Sequence, residues 1–320
     1  PLLVDIDLHS GDSDLDGWLD LWDTDDDNDG YPDDLDAFPT DACAHLDTDL
    51  PLILEHLDEA EVAHWDDPDV DWSRYSAAVL RSTWDYHQRL DEFLGWAERV
   101  DTLTRLVNPL ELIRWNTDKR YLIELGARGL PVVPTRLATT SEETSTLRVE
   151  GAFDGRVVVK PAVGAGSNGA ARHSDDPDGA EEHARALLAS GPVVVQPYID
   201  GVDERGETGV VILGGEVSHA FRKGPILSAE RAWADDLYVV EDISARTADP
   251  AEVEVAERVA RMFPEAAYLR LDLLPGDGSP LISEVEVIEP SLFLHVADGA
   301  ARRAAAVFAS LGRTPAEEPR

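Results

Sequence analysis

The sequence predicts an α/β protein preceded by an Asp-rich segment, and three observations carry that expectation. The composition changes near residue 40: of 65 acidic and 27 basic side chains in 320 residues, the first 50 residues hold 17 Asp and no base. Past that point, short apolar runs of strand length alternate with stretches whose apolar residues recur at helical spacing. Glycine-rich turns then join several of the later runs, which is the mark of hairpins within the same alternation.

Taken in order, Glu61–Trp65 and Ala77–Leu80 read as strands, and Arg89–Val100 reads as a helix with Leu90, Phe93, Leu94, Ala97 and Val100 on one face. Asn116 precedes a second expected helix through Leu122 and Leu125, which Gly129 can end. Pro131–Pro134 reads as an edge strand, and Arg156–Lys160 as a Val-rich strand entering a glycine-rich turn. A helix around Ala180–Leu188 and a strand Pro192–Pro197 follow. Thr208–Leu213 and Glu216–Lys223 flank Gly214-Gly215, a hairpin signal. Ala251–Met262 is helical, Tyr268–Leu274 and Leu281–Ile288 are strands around a Pro-Gly-Asp-Gly turn, Ala297–Leu311 is a closing helix, and residues 312–320 form a tail.

A net charge of −38 argues against nucleic acid as a partner, because affinity for phosphate strands comes mostly from basic side chains. It argues equally against anionic membranes. No run of about 18 apolar residues is present, and the first residues lack the basic start and apolar core of a signal peptide. Cys43 is the single cysteine, so no internal disulfide is possible. A soluble, cytoplasmic protein is expected. The sequence leaves the oligomeric state open, a dimer included.

The acidic front contains a repeat of period 13. Asp12, Asp14, Asp16, Gly17, Asp20 and Asp23 are followed in register by Asp25, Asp27, Asp29, Gly30, Asp33 and Asp36. Oxygen ligands at alternate positions wrap a hard cation, and glycine permits the turn that brings the later Asp round. The two units resemble thrombospondin type 3 calcium repeats, which implies calcium at Asp12, Asp14, Asp16, Asp25, Asp27, Asp29, Asp33 and Asp36. A solvated acidic arm is the other reading of such a charge run.

Only three of the basic residues are lysines, and each stands in a distinctive place. Lys119 is expected in the first turn of the second helix. Lys160 ends a strand directly before a loop containing Gly164, Gly166, Ser167 and Gly169. Lys223 ends the second arm of the Gly-Gly hairpin. A strand-end lysine beside a glycine-rich loop suits phosphate, since exposed backbone N–H groups and an ammonium both attract it. The loop lacks Walker A spacing, and a surface loop with a solvated lysine fits the motif alone as well.

Arg270 and Asp272 share one face of a strand, and Glu284 and Glu286 share one face of the next. The turn between them favours an antiparallel pair, which brings three carboxylates together. Such a group repels itself unless a cation intervenes, and Mg²⁺ is the natural candidate. Plain alternation of solvent-facing and buried positions gives the same pattern. Arg81 and Ser291 follow strand ends, where α/β folds place ligand loops, and are the candidate substrate residues.

The order of these motifs resembles the ATP-grasp superfamily of carboxylate–amine ligases across residues 42–311, and within it the ligases related to D-cycloserine formation. The segments carrying the resemblance are Arg81–Tyr86, Arg114–Lys119, Lys160–Gly169, Val193–Ile199, Gly206–Thr208, Ser218–Ala220, Arg270–Asp272, Glu284–Glu286 and Glu289–Ser291. It implies an α+β ATP-grasp fold with an N-terminal α/β pre-grasp subdomain. It also implies ATP and Mg²⁺ as cofactors, and small-molecule carboxylate and amine substrates of the kind used in antibiotic biosynthesis.

By motif, Lys119 and Lys160 are implied to contact nucleotide phosphates under a lid that includes Gly164, Gly166 and Ser167. Gln196, Pro197, Tyr198 and Ile199 are implied as the adenine hinge and Asp203 as the ribose contact. Lys223 is implied to reach the transferred phosphate, Arg270 to steady the acyl-phosphate, and Asp272, Glu284 and Glu286 to hold Mg²⁺. Glu286 departs from the family's usual Asn. The implied domains are 1–40, 41–108 (pre-grasp), 109–198 (small subdomain with lid) and 199–311 (Mg²⁺ subdomain).

One departure affects the fold. The family begins with a parallel strand where this chain has Asp repeats, and charged side chains cannot fill a buried strand. Either that strand is lost, or Leu2–Ile6 supplies it from across the repeats, or the chain joins two unrelated pieces. The competing functional reading is a calcium-dependent binding or structural module with an inactive ATP-grasp body.

Overall fold

The computed structural model describes residues 2–6, 48–165, 168–225 and 242–312, which divide into two compact units. The first comprises Pro1–Leu112, Glu265–Tyr268 and Val287–Arg320; the second comprises Ile113–Pro264 and Leu269–Glu286.

The first unit is built on a four-stranded parallel sheet of β1 (Leu2–Ile6), β2 (Ala60–His64), β3 (Ala77–Leu80) and β4 (Arg105–Val107), in the order β2-β1-β3-β4. β1 is a central strand: Val4 lies opposite Val62 on one side and Val79 on the other. Of the three alternatives for the missing strand, supply by Leu2–Ile6 is therefore the one that occurs. The Asp repeats lie outside the described residues.

The helix Leu90–Leu103 connects β3 to β4 and buries Phe93, Trp96, Ala97 and Val100, spaced by three and four residues as an amphipathic helix requires. Trp96 meets Trp72 edge to face at 5.2 Å and Trp65 at 6.0 Å, which gives this side of the sheet an aromatic core. The short helix Asp49–Leu54 buries Leu50 and Ile53.

Asn108 ties this unit together without contributing to a strand. Its Nδ2 donates to the carbonyls of Tyr268 (2.8 Å) and Val287 (2.7 Å), and its Oδ1 accepts from the Ala267 N–H at 2.6 Å. Asn108 is fully buried, so removing the amide strands three backbone groups. Asn108→Ala is expected to destabilise the protein by about 3 kcal/mol, seen as a lower denaturant midpoint with an unchanged slope.

The second unit has two antiparallel sheets. One contains β5 (Arg136–Ala138), β6 (Arg156–Pro161), β7 (Ala171–Ser174) and β8 (Val193–Pro197) in the order β5-β8-β6-β7. Val157, Val159, Val193 and Val195 on one face pack with Leu147 and Ala184 of the helices Ser141–Val149 and Pro177–Leu187. The other sheet contains β9 (Glu207–Leu213), β10 (Glu216–Lys223), β11 (Ile243–Arg246), β12 (Tyr268–Leu274) and β13 (Leu281–Glu286), ordered β11-β10-β9-β12-β13. Gly214 and Gly215 have φ of 59° and 84°, the left-handed pair that a tight hairpin between β9 and β10 requires. The helix Pro250–Met262 packs on this sheet, opened by a capping box in which Asp249 and Glu252 bond each other's backbone N–H.

Two expected elements are corrected. The helix through Leu122 and Leu125 is present after Asn116 but spans only Tyr121–Ala127, and a separate helix, Leu110–Asn116, ends at that asparagine. The Asn116 side chain does not cap a helix start but donates to the Val285 carbonyl at 2.6 Å, and Lys119 lies in the turn between the helices. Pro131–Pro134 forms only an isolated bridge, Val132 to Ile282, because prolines at both ends remove the N–H groups that a ladder needs.

Candidate active site

The three lysines, Arg270 and the three carboxylates converge within the second unit. β12 and β13 pair so that Arg270 lies opposite Glu286 and Asp272 opposite Glu284. Opposed residues share a sheet face, so all four side chains emerge together. The register then slips between Asp272 and Leu273, placing Ser283 in a β-bulge. One oxygen of each of Asp272, Glu284 and Glu286 lies within 4.8 Å of the others.

Cations surround the three carboxylates. Arg270 donates from Nε and Nη2 to the two oxygens of Asp272, both at 2.8 Å, and from Nη2 to Glu286 at 2.5 Å. Lys160 Nζ donates to Glu284 Oε1 at 3.0 Å, and Lys119 Nζ lies 3.6 Å from the same oxygen. Lys223 Nζ lies 3.9 Å from Asp272.

Lys119 is fixed at both ends: its backbone N–H donates to the Ala162 carbonyl at 2.8 Å and its ammonium to the Gly164 carbonyl at 2.6 Å. The turn residue thus reaches the base of the glycine-rich loop. Of that loop, Gly166 and Ser167 lie outside the described residues.

These neighbours set the ionisation of the carboxyls. Burial opposes the charge on Glu284, but Lys119 and Lys160 outweigh it and hold that carboxyl well below the usual carboxylate range. Glu286 moves the other way, pushed up to about 7 by burial, with Arg270 opposing and Asp272 and Glu284 adding to the rise.

Glu207, on β9 opposite Lys223, belongs to the same charged face and was missed in the sequence. Its carboxyl accepts from the Ser283 hydroxyl and is pushed up to about 7, first by burial and then by Asp272. The sequence marks Gly206–Thr208 as a matching segment but gives Glu207 no role; the sheet register brings it onto the charged face.

The remaining predicted residues fall in several places. Gln196 is buried and donates to Thr135 Oγ1 at 2.9 Å, while Pro197 lies opposite Val157. The Tyr198 N–H donates to the Arg156 carbonyl at 2.8 Å, and the Ile199 carbonyl accepts from Val202 at 3.0 Å. Asp203 accepts from the Tyr198 hydroxyl at 2.5 Å.

Arg81 and Ser291 are in the first unit. Arg81 is 1% exposed, donates to the Pro290 carbonyl at 2.9 Å and lies 3.5 Å from Asp49. Ser291 is partly exposed in the turn before Leu294–Val296. The eight Asp residues expected to hold calcium lie outside the described residues.

The all-oxygen donor set of Asp272, Glu284 and Glu286 fits a small hard cation such as Mg²⁺, since three converging carboxylate oxygens are what such an ion would neutralise. Among the described residues, no helix is long and apolar enough to cross a membrane.

Residues 31–108 match the family described as D-cycloserine synthetase DcsG, N-terminal domain. The cycloserine biosynthesis protein DcsG of Streptomyces lavendulae is 39% identical over 294 residues, covering 85% of this chain and 97% of that protein. The crystal structure of D-cycloserine synthetase DcsG superposes with a TM-score of 0.74 at 35% identity, covering 83% of this chain and 95% of that one. The ATP-grasp ligase PsnB, solved with a minimal precursor, Mg and ADP, shares the fold with a TM-score of 0.57 at 17% identity over 98% of each chain. By its sequence identity over nearly the whole of a characterised relative, and by a fold shared along the same length, the chain belongs to the DcsG family of ATP-grasp ligases.

Proposed function

We propose that this ligase uses ATP to convert a small, amino-acid-like carboxylate into an acyl-phosphate, which an amine then attacks. The observation that carries the reading is the convergence of Lys119, Lys160, Lys223 and Arg270 on Asp272, Glu284 and Glu286. Bringing a carboxylate to ATP unites two anions, and fixed cations in a partly buried site offset that repulsion without reorganising. The substrate carboxylate oxygen attacks the γ-phosphorus as the bond to the β-phosphate oxygen breaks, releasing ADP. The amine nitrogen then attacks the acyl carbon, the C–O bond to phosphate breaks, and the amine gives up a proton.

In this reading Lys119 and Lys160 bind the phosphates, Lys223 follows the transferred phosphoryl group, and Arg270 steadies the acyl-phosphate. Residues 164–169 exclude water, Gln196–Ile199 hold the adenine, and Asp203 holds the ribose. Asp272, Glu284 and Glu286 would hold Mg²⁺, which when bound supplies neutralisation of the β- and γ-phosphates. Residues 41–108 serve as the pre-grasp subdomain, 109–198 as the lid subdomain and 199–311 as the Mg²⁺ subdomain. The relative's name supports an amino-acid-derived product in antibiotic biosynthesis, and the need for ATP supports the cytoplasm.

The test is ADP release with pairs of amino-acid-like acids and amines. ADP should form only when both partners are present, and a protein that neither forms ADP with any pair nor binds ATP overturns the proposal. Metal binding carries its own signature. With Glu286 raised to about 7, Mg²⁺ should displace a proton near neutrality. Its affinity is therefore expected to rise from pH 6 to pH 8, with proton release visible by calorimetry in buffers of different ionisation enthalpy.

A further inference from the structure

Arg172, on β7, has no part in the roles above. It is 7% exposed, and its Nε and Nη1 donors have no hydrogen-bond partner. Its Cζ lies 3.9 Å from the centroid of the Tyr198 ring. Nη1 is 3.6 Å from Asp203 Oδ1, beyond hydrogen-bond reach, and that oxygen already accepts from the Tyr198 hydroxyl at 2.5 Å. Neither neighbour therefore satisfies the guanidinium. Unpaired donors on a buried charged group are costly, and their presence asks for a partner.

The sheet register shows which face of the sheet Arg172 belongs to. Arg172 lies opposite Val158 on β6, and Val158 lies opposite Gln196 on β8. Val157 and Val159 point into the core under the helices. Alternation puts Val158, Lys160, Arg172 and Gln196 on the other face. That face carries a phosphate-suited lysine toward one end and, in the row of Arg172, the start of the hinge.

We propose that Arg172 is a purine-binding residue that donates to a ring nitrogen of the base, N7 or N3. A guanidinium only donates. If the hinge backbone takes the N6 and N1 edge, N7 and N3 are the acceptors left on adenine. The Tyr198 ring stacked on the guanidinium fixes its plane. The inference rests on the nucleotide reading of this face given above.

The test is to titrate the full chain with Mg²⁺ and ATP, 7-deaza-ATP or 3-deaza-ATP. One analogue is expected to bind about tenfold or more weakly than ATP, the cost of one charge-assisted hydrogen bond. Arg172→Met should weaken ATP binding and abolish the discrimination. If that variant does not fold, Arg172→Lys is read the same way, with discrimination expected to shrink. Equal wild-type affinities for all three nucleotides, or discrimination unchanged in the variant, overturn the role of Arg172 while leaving ATP binding standing. A protein that binds no ATP overturns the nucleotide reading as well.

Discussion

Lys160→Ala is expected to lower ATP affinity by about 100-fold or more, roughly the loss of one strong or two ordinary charge-assisted hydrogen bonds. Lys160 ends β6 with its ammonium 3.0 Å from Glu284, on the sheet face opposite the valine core. Removing it subtracts a positive charge where phosphates would bind and leaves Glu284 facing Lys119 at 3.6 Å. Both changes make the site more negative toward an anionic ligand. Calorimetry with Mg·ATP reads the effect directly, and an affinity that stays unchanged removes Lys160 from the site.

Arg270→Ala should act differently, through the chemistry and the fold more than through nucleotide affinity. Arg270 occupies both oxygens of Asp272 and one of Glu286, so its loss leaves two clustered carboxylates without their main counter-charge. Breaking a buried ion pair from one side costs about 3–5 kcal/mol. Losing a donor aimed at developing charge costs about 10²–10³ in turnover. Arg270→Lys should rescue little of the turnover, because an ammonium cannot reproduce the two-point contact. Asp272→Asn in the Arg270→Ala background should recover part of the stability and none of the activity. If denaturation midpoints show no recovery, electrostatic strain is not what the arginine relieves.

The sequence makes much of this site legible because its chemistry lies in strands. Alternation places Arg270 with Asp272 and Glu284 with Glu286, and the short turn between them brings the pairs face to face. Gly214-Gly215 announces its hairpin for the same local reason. What escapes is what only pairing creates. β4, β5 and β7 are three or four residues long, too short for any periodicity to show. Glu207 joins the charged face through Lys223 on the neighbouring strand, and Arg172 joins the polar face of its own sheet beside Val158. Arg81 illustrates the same limit: the sequence places this cation at a strand end, and only the fold sets Asp49, distant in sequence, beside it.

The central position of β1 has a consequence for how the chain reaches its native state. β1 lies between β2 and β3, yet residues 7–47 and the helix Asp49–Leu54 separate it from both. Closing so long a stretch of chain, compared with the dozen or so residues that a parallel crossover needs, adds about 1 kcal/mol, since each doubling costs about 0.6 kcal/mol. That sum is small beside what a central strand contributes, so a long acidic insertion at this point is tolerable at equilibrium. The rate carries more of the burden. β2 and β3 have no direct partner in one another and must wait for a distant segment to enter between them, the kind of non-local pairing that slows folding. A refolding phase that speeds up when residues 7–47 are shortened, with the final stability little changed, is the behaviour this topology prescribes.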